Sequence, residues 1–64
     1  METEKIYETI VQLQSKDGKP IDIATICHEC GIAKEILSSH LRILQMFHRI
    51  KITGGGKYVS VINT

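Results

Sequence analysis

Apolar side chains recur along this chain with two different periods. Ile6, Tyr7, Ile10, Val11 and Leu13 fall at helical spacing, while Lys5, Glu8, Thr9 and Gln12 fill the opposite side. That pattern predicts a first helix over about 3–14. Thr3 is its expected N-cap, and Glu4 lies in the first turn, where a carboxylate meets the positive end of the helix dipole. The run "SKDGKP" interrupts it: Asp17-Gly18 favours a tight turn, and Pro20 cannot continue a helix. "PID" supplies a very short strand around Ile21. Ile23, Ile26, Cys27 and Cys30 then stand at i, i+3, i+4 and i+7, the spacing of one buried helical stripe. They predict a second helix over 23–30, capped by Asp22 and ended by Gly31 in the left-handed conformation. A third helix begins near Lys34 and ends at Phe47 or His48, with apolar positions Ile36, Leu37, Leu41, Ile43, Leu44 and Phe47.

From there the period changes to two. "RIKIT" puts Ile50 and Ile52 on one face, "GGG" supplies the positive φ angles of a tight turn, and "KYVSVIN" is a return strand rich in β-formers. The order is helix, short strand, helix, glycine turn, helix, hairpin. The second and third helices make a helix-turn-helix, and the hairpin after them makes a winged variant. The expected fold is α+β: a winged helix-turn-helix of three helices plus a small β-hairpin wing, one domain over residues 1–64. The hairpin covers the open end of a three-helix core that is otherwise too small.

Size sharpens that need. A chain of 64 residues buries only ~60% of the surface that its unfolded form exposes. There are two cysteines, three apart within one helix, where bridging is geometrically poor. Reduced thiols fit a cytoplasmic (nucleoid) or nuclear setting. No apolar run approaches the ~20 residues of a membrane span, and no export leader is visible. Met1 and the compact layout lead to the expectation of a complete small protein.

The net charge of +1 hides a division. Residues 1–30 carry six acids and three bases, a net −3; residues 31–64 carry Glu35 against Lys34, Arg42, Arg49, Lys51 and Lys57, a net +4. A basic half points to an anionic partner. On the third helix Glu35, Ser38, Ser39 and Arg42 form one polar stripe on an otherwise greasy cylinder. A helix entering the major groove, about 12 Å wide, needs such a face. Serines let the backbone approach, and their hydroxyls reach phosphates or bases. Arg42 is long enough for a phosphate or a guanine edge, and Lys34 lies where the helix N-terminus already favours phosphate. Glu35 works against phosphate unless it accepts from a cytosine amino group. Arg49, Lys51 and Lys57 lie on or beside the hairpin and complete the candidate DNA-binding set.

The segment "IATICHECGIAKEILSSHLRILQMFHRIKITGGGKYVSV" resembles the winged helix-turn-helix of ArsR- and MarR-type bacterial and archaeal regulators. The matching residues are Gly31, Ile32, Ser38, His40, Leu41, Leu44, the Gly54–Gly56 turn and Tyr58, over roughly 40 residues. The resemblance implies DNA contact by Lys34, Ser38, Ser39 and Arg42, with Lys57 at the wing, in a transcriptional regulator. Two features depart from the pattern. Ala33 replaces the usual serine cap, which weakens the start of the third helix by ~1 kcal/mol. The extra terminal helices with which those regulators dimerise are missing, which leaves a minimal DNA-binding module. The chain is also similar in size and layout to the Zα domains that bind Z-form nucleic acid, sharing "KE" at Lys34-Glu35. Ser38 and Arg42 stand where that family has asparagine and tyrosine, and the chain has no tryptophan for its wing.

Other chemistry is weaker. "CHEC", with His40 and His48, offers four N/S groups for zinc, but both cysteines complete an apolar stripe and a second CxxC is missing. His28 points away from that stripe, toward solvent, and His40 is expected to donate to a backbone carbonyl. "GGGK" lacks the serine or threonine and the helix that a phosphate loop needs. The expectation is therefore no enzyme, no cofactor, no metal, no small-molecule substrate and no membrane partner. The principal reading is double-stranded DNA binding. Its rival is a protein-docking module, or a homodimer, built on the apolar excess of Ile43, Met46, Phe47 and Ile62.

Overall fold

Six elements follow in the order the periodicity predicts. The computed structural model describes residues 2–62. In it α1 spans Glu2–Asp17, β1 Ile21–Asp22, α2 Ile23–Cys30, α3 Lys34–Met46, β2 Ile50–Thr53 and β3 Tyr58–Val61. Three helices thus pack with a three-stranded antiparallel sheet of order β1-β3-β2.

The first helix differs from its expected bounds at both ends. It continues through Ser15, Lys16 and Asp17, which a helix tolerates, and stops only at Gly18, where φ is +70° and the N–H donates to the Gln14 carbonyl at 2.6 Å. At the other end Thr3 is not a cap. It lies inside α1, buried, with its hydroxyl 2.8 Å from Nδ1 of His40 on α3. His40 accordingly bonds a side chain rather than the expected backbone carbonyl.

α2 matches its expectation at both ends. Asp22 Oδ1 accepts from the Ala24 N–H at 2.7 Å, and Gly31, at φ +67°, donates its N–H to the Cys27 carbonyl. Its first N–H, that of Ile23, donates to the Lys57 carbonyl at 3.0 Å, which ties the helix to the β2–β3 turn. Cys27 and Cys30 are free thiols at the half-buried margin of the stripe rather than within it. α3 begins at Ala33, which makes no side-chain cap bond. It ends one residue before the expected range, because Phe47 leaves helical geometry and His48 turns left-handed at φ +59°.

In the hairpin Lys51 faces Ser60 and Ile52 faces Val59. The Ile62 N–H donates to the Arg49 carbonyl, so by antiparallel alternation Ile50 and Ile52 direct their own backbone groups toward the outer edge of β2. Gly54 is required: a Cβ there would sit 2.5 Å from the Tyr58 ring, at φ +64°. β1 contributes only two residues, pairing Ile21 with Val59 and Asp22 with Tyr58. Beyond them the Val61 N–H finds Gln14 Oε1 at 2.6 Å, so α1 completes what a longer β1 would do.

The core is aliphatic throughout. Ile6 and Ile10 from α1, Ile21 from β1, Ile23 and Ile26 from α2, Leu37, Leu41 and Leu44 from α3, Ile50 from β2 and Val59 from β3 are all buried. Each such side chain contributes about 1.5–3 kcal/mol through removal from water. Every element supplies at least one, so no element can leave without opening the core.

Candidate functional site

The polar stripe of α3 begins at its uncapped end. No side chain satisfies the first-turn N–H groups there, so the positive end of the helix dipole opens to solvent beside Lys34. From Lys34 the exposed face runs through Glu35, Ser38 and Ser39 to Arg42, while Leu37, Leu41 and Leu44 turn into the core. The Ser39 hydroxyl leans back toward the Glu35 carbonyl, 3.4 Å away.

Three shallow grooves show what this face adjoins. Lys34 and Lys57 line one of them, with Asp22, Cys27 and Gly56. Ser38, Arg42 and Gln45 line the next, with Ile52 and Gly56 of the hairpin. Glu35, Ser38, Ser39 and Arg42 enclose the third. Gly56 belongs to the first two grooves, and Ser38 and Arg42 to the last two. The face of α3 and the β2–β3 turn therefore form one continuous surface. The hydrogen bond from Ile23 to the Lys57 carbonyl holds the turn in that place.

Not all candidate cations join it. Arg49 is turned to α1: Nη1 donates to Glu4 Oε1 at 2.7 Å, and the guanidinium lies 4.1 Å from the centroid of the Tyr7 ring. The hydrogen bond to Glu4 raises its already high pKa further. Lys51 alternates with the inward-facing Ile50 and Ile52, so it projects from the other face of the hairpin. Arg49–Glu4 is the only ion pair among the described residues, which leaves Lys34, Arg42 and Lys57 without a carboxylate partner there. Gln45 and Ile52 belong to the surface although the candidate set omits them. Gln45 extends the stripe two turns past Ser38 and one past Arg42, at i+7 and i+3, a spacing legible in the sequence; Ile52 needs the folded hairpin to be found.

The cysteine motif does not assemble with the histidines. Among the described residues no group of three or more His, Cys, Asp and Glu side chains could hold a metal ion. Burial pushes the Cys30 thiol above its ordinary pKa, and the neighbouring Cys27, Glu2 and Glu29 add to the rise. Among the same residues no helix is long and apolar enough to cross a membrane. Compared with known proteins, the chain matches no family model, no curated protein and no solved structure.

Proposed function

We propose that this protein is a winged helix-turn-helix that binds double-stranded DNA without catalysing a reaction, as a transcriptional regulator does. α3 is the recognition helix, and the β2–β3 hairpin is the wing against the flanking backbone. One observation carries the reading: Lys34, Ser38, Arg42 and Lys57 line grooves that meet at Gly56. Two short serines keep the centre of the stripe low enough for the helix to approach base edges, and long cations stand at its margins for phosphates. The open N-terminus of α3 favours a phosphate beside Lys34. Arg49 has no part in this contact, since Glu4 and Tyr7 occupy it.

Fluorescence anisotropy with labelled duplex tests the proposal. With three cations at the interface, log affinity should fall with log salt at a slope of about −2.7. Arg42→Glu should weaken binding severely. If Arg42 reads a base, the variant also loses about 1–3 kcal/mol of sequence discrimination; if it grips a phosphate, the loss is the same on every sequence. Equal binding by Arg42→Glu and the parent chain would rule the reading out.

A further inference from the structure

α3 carries a third face that neither the core nor the polar stripe uses. Ile36 and Ile43 stand at i and i+7, in line with His40, and Phe47, the residue that closes the helix with its N–H still on the Ile43 carbonyl, continues the line; they are 53%, 42% and 72% exposed. Met46, 72% exposed, flanks them. His40, the only polar member of the row, keeps Nδ1 on Thr3. Beside the row lies a shallow, mostly apolar groove lined by Thr3, Glu4, Ile43, Leu44, Phe47 and Arg49. From its geometry we infer that this face is where a second copy of the chain docks, α3 against α3 in antiparallel orientation across a two-fold axis.

Three observations favour a second copy. The first is area. Large apolar residues carry on the order of 200 Å² each, so these exposures amount to roughly 500 Å². Two copies face to face remove at most about 1,000 Å², which reaches only the lower bound for specific association. The second is charge. The row itself contains no charged side chain, and a net charge of +1 per chain opposes self-association very little. The third is symmetry. A helical row centred near His40 and Ile43 is self-complementary when reversed: Ile36 of one copy meets Phe47 of the other, beside the groove that Phe47 lines. The predicted dimer is weak and concentration-dependent.

Sedimentation equilibrium over a wide range of concentration tests this, together with the double variant Ile43→Gln/Phe47→Gln. Both positions are exposed, so circular dichroism should show the variant folded like the parent. The apparent mass of the parent should rise toward twice the monomer value as concentration increases, while the variant stays monomeric. On dilution, amide shifts of the parent should move at Ile36, Ile43 and Phe47. A parent that remains monomeric at every concentration overturns the inference and assigns the face to a different occupant. So does a double variant that associates like the parent, or dilution shifts confined to the outer edge of β2 at Ile50–Thr53. None of these measurements involves DNA, so their failure is separate from failure of the duplex reading.

Discussion

His48 holds a backbone conformation that residues with a Cβ avoid. At φ +59° it donates its N–H to the Gln45 carbonyl, and Arg49 donates to Leu44. This pair of bonds closes many helices, ordinarily with glycine in the left-handed position. His48 is exposed and holds the place at a steric cost on the order of 1 kcal/mol. His48→Gly is therefore expected to stabilise the protein by up to about 1 kcal/mol in urea unfolding; an unchanged or lower midpoint contradicts the strain argument. Single residues also mark what a linear reading misses. Asp22 and Gly31 perform locally encoded tasks, and both are legible from their neighbours. Thr3 looks like a cap until His40 is placed beside it, 37 positions away. Arg49 looks like a free cation until Glu4, 45 positions away, takes it.

At the scale of elements, helical period decides most of what can be read. The buried stripe of α2 and the alternation of β2 follow from spacing, and the ends of α2 from its caps Asp22 and Gly31. The end of α1 does not, because Ser15, Lys16 and Asp17 suit a helix as well as a turn, and only Gly18 settles the boundary. The polar stripe of α3 is legible as a stripe, but its union with the β2–β3 turn is not, since that depends on the bond between Ile23 and Lys57. The uncapped start of α3 gives an element-level test. Ala33→Asp adds a carboxylate that accepts from the first-turn N–H groups, stabilising the helix by ~1 kcal/mol. The same carboxylate lies where a phosphate is proposed. Thermal melting and duplex titration should thus move in opposite directions: a higher midpoint and a lower affinity. If affinity rises as well, the phosphate does not sit at this helix end.

For the whole molecule, ten aliphatic side chains carry the fold, and few elements could compensate for a gap among them. Leu41 is 2% exposed on the central turn of α3. Leu41→Ala is expected to cost about 2–5 kcal/mol, comparable with the whole of what a core this small supplies. Circular dichroism should find that variant largely unfolded at room temperature; a cooperative melt near the parent's would mean that the core relaxes around the cavity. The two proposed contacts also meet at this scale. In an antiparallel pair the α3 axes lie 8–10 Å apart, whereas successive major grooves are about 34 Å apart, so such a pair offers a duplex one recognition helix rather than two. Finally, the chain has two tyrosines and no tryptophan. Tyr7 lies under the Arg49 guanidinium and Tyr58 lies against the backbone at Gly54. The ultraviolet emission of the protein is therefore purely phenolic and comes from two unlike surroundings. Replacing either ring with phenylalanine leaves a one-fluorophore molecule whose glow follows a single locale, the guanidinium stack or the glycine bend, with no dye attached.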